Sequence, residues 1–204
     1  MWHRHLACLL AQRGEQVTGI DPAIASLDVA RRKLHADRVR WVVGDATVLP
    51  QLQVDLVTMT GNVAQVFLSD ESWEATLRAA AAALRSGGLL VFESRDPARQ
   101  GWREWAREQS YRRVEVPGVG AVETWVELTE VSLPFVTFQT MFVFEADGAV
   151  LTSSSTLRFR NQAEIHRSLV ATGFVVRDVR DAPDRPGREF VFIAESAPDG
   201  AGSG

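Results

Sequence analysis

A chain of 204 residues with 46% hydrophobic content can fill one good core, so a single domain is the expected count. Its formal net charge of -4 carries no basic excess, which disfavours a polyanionic partner such as nucleic acid. The single cysteine, Cys8, excludes an internal disulfide; no apolar run is long enough to cross a bilayer, and Leu6 to Ala11 is too short for a signal peptide, so a cytoplasmic protein with no membrane partner is expected.

Leu6 to Arg13 has helical spacing (Leu6, Leu9, Leu10) and stops at Gly14. Gln16 to Pro22 is a short strand run ended by Asp21. Pro22 to Leu34 reads as a helix with proline in its first turn, an apolar face of Ala25, Leu27, Val29, Ala30 and Leu34, and Arg31 to Lys33 as its solvated last turn. Val39 to Ala46 is a second β-branched run, closed by Gly44-Asp45-Ala46. Two acid-ended strands separated by a helix are the grammar of consecutive parallel strands in a doubly wound sheet. Both acids then land on the carboxyl edge, where ligands of open α/β sheets bind. There Asp21 is placed to accept from vicinal ribose hydroxyls, with a helix cap as its purely structural alternative. Asp45 is placed to accept from an adenine amino group while the Ala46 amide faces a ring nitrogen; an ordinary Gly-Asp turn is the alternative.

Val54 to Val63 follows as a further strand and loop, containing Thr60, Gly61 and Asn62. Ser69-Asp70-Glu71-Ser72-Trp73 is a strong helix start, and the helix runs through Leu77 to Leu84 with an alanine face suited to close packing. Gly87-Gly88 turns the chain into the apolar strand Leu89 to Glu93, which leaves through Ser94-Arg95-Asp96-Pro97. A short helix between Ala98 and Glu108 would put Trp102 and Trp105 on one face. From Tyr111 to Phe159 alternating runs separated by Pro117-Gly118 and Asp147-Gly148 predict a four-stranded antiparallel meander, a lid, a dimer surface or a plain sheet extension. A helix from Asn161 to Thr172, a terminal hairpin of Phe174 to Val179 with Phe190 to Ala194, a polar loop from Arg180 to Arg188 and a flexible tail, 197–204, complete the chain. One α/β domain over 1–196, with 111–159 as an insertion, is the expected organisation.

No metal site is expected, because the four histidines have no Cys or His partner at ligand spacing. Trp41 and Trp73 read as packing residues, and Cys8 as a buried, inert thiol.

Taken together, Val17-Thr18-Gly19-Ile20-Asp21, Gly44-Asp45-Ala46, the Val54 to Val63 segment and Leu84 to Glu93 with its glycine turn resemble, in this order, the class I S-adenosylmethionine-dependent methyltransferases. The resemblance covers residues 6 to 96 and, more loosely, 159 to 193. It implies a three-layer α/β sandwich with a mostly parallel, Rossmann-like doubly wound sheet and an antiparallel insertion. It implies S-adenosylmethionine as cofactor, with Asp21 on the ribose, Asp45 and Ala46 on the adenine, and Thr60, Gly61 and Asn62 at the methionine end. The acceptor implied is a nitrogen or oxygen of a small molecule, and a homodimer is possible. Gln65, Glu93, Arg95 and Asp96 are candidates for orienting that acceptor, while no residue has the spacing of an established catalytic base.

The family's first strand and glycine-rich loop have no counterpart before Leu6. One codon choice for Met1 to His5, read one base later, encodes Cys-Gly-Thr-Gly, which fits a frameshifted or mis-started reading of a longer gene; a genuinely short protein, with the codon match a coincidence, is the alternative, and either leaves cofactor affinity open. Two other function classes stay open. A non-catalytic methyltransferase-like binding or dimerising module would keep the sheet without the chemistry. An NAD-dependent oxidoreductase would also use a strand-end acid, but Tyr111 is followed four positions on by Glu115, so a Tyr-x-x-x-Lys pair is missing.

Overall fold

A computed structural model of the chain describes residues 3–46 and 52–197. Helix α1 (His3–Gln12) ends at Gly14 and leads into β1 (Val17–Asp21), α2 (Ile24–Arg31) and β2 (Val39–Val43). β1 and β2 pair in parallel, Val17 against Val39 through Asp21 against Val43, so both strands end on the same edge. Their close fit depends on Gly19, where a Cβ would collide with the Trp41 ring. The Trp41 indole N–H is spent on the Ala36 carbonyl at 3.0 Å, which makes this tryptophan a packing residue, as its sequence setting suggests.

A second sheet contains β3 (Val54–Met59), β4 (Leu84–Arg95), β9 (Phe174–Asp181) and β10 (Glu189–Ser196) in the order β3-β4-β10-β9. β3 and β4 are parallel, and β10 runs antiparallel to both β4 and β9. Helices α3 (Asp70–Ala83) and α5 (Gln162–Ala171) supply Trp73, Leu77, Ala80, Ile165 and Leu169 to one core with Leu90, Phe92, Phe192 and Ala194 of the strands. Phe92 and Phe192 stack at 5.2 Å, and Trp73 meets Phe92 edge-on at 5.6 Å. Each of these large side chains contributes about 1.5–3 kcal/mol by leaving water. Local capping agrees with the packing: the Ser69 hydroxyl accepts from the Ser72 amide at 3.2 Å, and Asn161 with Glu164 closes a capping box on α5.

The mixed α/β architecture expected from the sequence is present, but its sheet is divided. Among the described residues β1 pairs only with β2 and β3 only with β4, so each keeps one unpaired edge. These are the edges between which the resemblance places the family's first strand. The consequence is visible on β3, where Leu56 is 45% exposed.

The meander expected between Tyr111 and Phe159 is β5 (Arg112–Val116), β6 (Gly120–Ser132), β7 (Phe135–Phe144) and β8 (Val150–Arg158), paired in sequence order. The helix expected between Ala98 and Glu108 is not continuous. Pro97–Arg99 and Gly101–Glu104 form two 3-10 turns, and only Arg107–Ser110 is α-helical, as α4. Gln100, at φ 49, breaks the run, and tertiary contacts hold the break: Trp102 packs edge-on against Phe159 at 4.6 Å and Trp105 against Phe138 at 4.7 Å. Strand β4 also begins earlier than Leu89. Leu84 already pairs with Val54, and the ladder is irregular before Leu56 meets Leu89. The expected tail at 197–204 lies outside the described residues apart from Ala197.

Candidate functional site

Parallel pairing brings the two strand-end acids to one edge. Asp21 is half-buried, and its carboxylate accepts the Ala23 amide at 2.8 Å, closing a turn just ahead of α2. The Gly44 amide donates to the Asp21 carbonyl at 3.2 Å, which ties the exit of β2 to the exit of β1. Gly44 holds φ 146, a left-side conformation that releases the chain from the strand and leaves Asp45 exposed, with Ala46 half-buried beside it. Asp21, Asp45 and Ala46 thus sit together at the carboxyl edge of the two-stranded sheet.

Thr60, Gly61 and Asn62 leave the carboxyl end of β3, in the other sheet. Gly61 turns at φ 79 and Asn62 at φ 60, the left-handed region that glycine and asparagine tolerate best. The adjacent strand fastens this turn. Glu93, near the end of β4, accepts the Gly61 amide and, at 3.2 Å, the Asn62 amide on the same oxygen, Oε1. Asn62 itself is buried, and its side-chain N–H₂ donates to Glu189 at 3.0 Å.

Around that turn a polar cluster lies over the ends of β3, β4 and β10. Gln65, 1% exposed, accepts from Arg95 at 2.8 Å. Arg95 also lies 3.9 Å from Glu189 and 5.6 Å over the Trp105 ring. Burial pulls its guanidinium below the ordinary value, and Glu189 works in the opposite direction; it remains a cation. The tighter partner of Glu189 is Arg185, at 2.7 Å. Asp96, by contrast, caps a turn: its carboxylate accepts the Ala98 amide at 2.9 Å.

A further arginine couples this loop to the exit of the meander. Arg160, almost fully buried, donates to the carbonyls of Phe67 at 2.9 Å and Ser69 at 3.0 Å and reaches Asp70 at 3.4 Å.

The structure therefore brings Asp21, Asp45 and Ala46 together on one sheet and Thr60, Gly61, Asn62, Gln65, Glu93 and Arg95 together on the other. Sequence reasoning missed Glu189, Arg185 and Arg160. The available signal for Glu189 was an acid opening the apolar run Phe190 to Ala194, and for Arg185 its spacing of four to Glu189; nothing local marks Arg160. Among the described residues no cluster of three or more His, Cys, Asp or Glu is arranged to hold a metal ion, and no helix is long and apolar enough to cross a membrane. The donor set fits an adenosyl sulfonium cofactor: strand-end carboxylates for a diol and an amino group, and a turn of positive φ through which backbone approaches closely.

Residues 4–88 match the methyltransferase domain family. A comparison with curated proteins finds no match. Among solved structures, the chain is similar to an S-adenosylmethionine-dependent methyltransferase from Clostridium acetobutylicum (14% identity, 92% of this chain and 78% of that one, TM-score 0.72). It is similar to the sugar N-methyltransferase KedS8 from Streptoalloteichus (18%, 95% and 75%, 0.72). The S-adenosylmethionine-bound amino pentose methyltransferase CalS10 from Micromonospora echinaspora shares 20% identity over 89% of this chain and 74% of that one, with a TM-score of 0.64. Residues 4–88 thus match a methyltransferase domain, and the fold over most of the chain is similar to that of S-adenosylmethionine-dependent methyltransferases.

Proposed function

We propose that the chain transfers a methyl group to a nitrogen or oxygen of a small molecule, with adenosine held by Asp21, Asp45 and Ala46 and the methionine end by the Thr60 to Asn62 turn. The cofactor supplies a sulfonium methyl, already a good electrophile. What remains for the protein is to hold and align the acceptor, and alignment is worth ~7–11 kcal/mol without a dedicated nucleophile.

The observation that carries this reading is the Gln65–Arg95–Trp105 arrangement, where a buried amide, a half-buried guanidinium and an indole face converge above the carboxyl ends of β3 and β4. Polar groups of fixed orientation beside an aromatic wall suit a compact polar acceptor. Sugar and amino pentose methyltransferases among the structural neighbours support a small-molecule acceptor over a polymer. Transfer of labelled methyl from S-adenosylmethionine to a library of small amines and alcohols, run beside RNA and DNA, tests it. Label on nucleic acid alone would overturn the acceptor assignment.

The divided sheet favours a second reading, a non-catalytic module with weakened cofactor binding. Thermal stabilisation by S-adenosylhomocysteine separates the two, since only the first requires it.

A further inference from the structure

Glu93 is unevenly used. Its Oε1 accepts both the Gly61 and Asn62 amides, which fixes the carboxylate against the turn assigned to the methionine end. Among the described residues no hydrogen bond and no ion pair within 4 Å reaches Oε2, and the side chain is half-buried at the carboxyl end of β4. The two arginines whose charge acts on Glu93 are engaged elsewhere: Arg95 donates to Gln65 at 2.8 Å and Arg185 is committed to Glu189 at 2.7 Å.

Two buried amides on the same turn are also incompletely used. Asn62 Oδ1 and Gln65 Nε2 have no partner although both residues are at most 2% exposed. Neither is open to reassignment by flipping. Asn62 must turn its N–H₂ towards the Glu189 carboxylate, and Gln65 must turn its oxygen towards the Arg95 guanidinium. Next to a carboxylate oxygen with spare capacity, the turn therefore offers one unused acceptor and one unused donor. Buried polar groups left in this state are costly unless something completes them.

We infer that Glu93 Oε2 holds the acceptor nitrogen, so that the acceptor is an amine and not an alcohol; this rests on the methyl-transfer reading above. The charge flow of the reaction explains the choice. An acceptor nitrogen that has left its proton in solvent forms its bond to the methyl carbon as the carbon–sulfur bond breaks and that electron pair goes to sulfur. The nitrogen gains the positive charge that the sulfonium loses, and it sheds a proton to solvent after release. A fixed carboxylate beside the nitrogen stabilises that charge as it develops. An alcohol acceptor has to lose its hydroxyl proton and ends as a neutral ether, so it leaves no lasting positive charge for a fixed carboxylate to stabilise. Asn62 Oδ1 is suited to a second N–H of the same amine, and Gln65 Nε2 to a neighbouring oxygen.

Sinefungin tests this directly, because it replaces the sulfonium sulfur by a carbon whose ammonium group stands in the place of the transferable methyl, next to where the acceptor nitrogen must arrive and within reach of a carboxylate that holds that nitrogen. Calorimetric titration should show it binding more tightly than S-adenosylhomocysteine by roughly tenfold or more, the scale of a charge-assisted hydrogen bond. Glu93→Gln retains an oxygen for the two amides and should bring that ratio close to one; the ratio cancels any change common to both molecules, and the circular dichroism of the variant reports that it is folded. An unchanged ratio in the variant, or no advantage in the parent chain, overturns the inference and leaves the methyl-transfer reading in place. An equal advantage for S-adenosylmethionine means that the carboxylate faces the sulfonium, and likewise overturns it. Failure of all three molecules to bind removes the underlying reading and the inference with it.

Discussion

Asn62 reaches across 127 positions of sequence to donate its side-chain amide to Glu189 at 3.0 Å, and both residues are buried. This bond locks the turn after β3 to the start of β10, so the proposed methionine-end turn is held by the far end of the chain. A hydrogen bond to a buried charged group is worth about 1.5–3 kcal/mol net. Asn62→Ala loses that bond and also forces a Cβ-bearing residue without a local polar group into φ 60, adding about 1–2 kcal/mol. Asn62→Gly loses only the bond. Urea denaturation should rank the two variants in that order, and equal stabilities would remove the backbone contribution.

At the adenosine end, Asp21→Ala should weaken S-adenosylhomocysteine binding by roughly tenfold or more, since each of two hydrogen bonds to the carboxylate is worth about 1.5–3 kcal/mol. Asp45→Ala should cost less, because in the proposed site the Ala46 amide would still face the adenine ring. Isothermal titration of the parent and both variants checks the order. Unchanged affinity in the Asp21 variant would remove the ribose assignment.

The loop leading to α3 has a predicted acid dependence. A hydrogen bond from Arg158, helped by the charges of Arg158 and Arg160 and opposed by slight burial, holds the Asp70 carboxyl below its usual value of 3.8. A carboxyl depressed in the folded state stabilises above its unfolded pKa, and that contribution is lost as pH falls through the folded value. The stability difference between the parent chain and Asp70→Asn should accordingly be constant near neutrality and close below about pH 4, where unfolded carboxyls begin to protonate. Denaturant titrations in steps of pH provide the measurement, and a difference independent of pH would contradict it.

Core packing gives the largest expected stability loss. Leu77 is 0% exposed against the sheet, and Leu77→Ala should cost ~2–5 kcal/mol. Leu34, 79% exposed, should tolerate alanine within about 0.5 kcal/mol. Thermal melts of both variants test the contrast.

What the sequence disclosed depended on how local the signal was. The strand-end positions of Asp21 and Asp45 were legible because a β-branched run stopped by an acid is written in a few neighbouring residues. The Asp147-Gly148 turn and the Asn161–Glu164 capping box were legible for the same reason. Trp102 and Trp105 misled because their helical spacing is local, whereas the contacts that settle their backbone, with Phe159 and Phe138, come from the distant meander. Glu189 and Arg160 draw their meaning from Asn62 and Phe67, 127 and 93 positions away, and no short window of sequence contains both members of either pair.

Among the described residues, the large apolar cluster built from α3, α5, β3, β4, β9 and β10 takes no side chain from positions 3–46. A chain so divided is under no obligation to melt in one step. The α1–β2 unit is free to open at its own, lower free energy while the larger body persists. Adenosine on one unit and a methionine tail on the other would weld two melting units into one, so that cooperativity becomes a property lent to the polypeptide by what it binds.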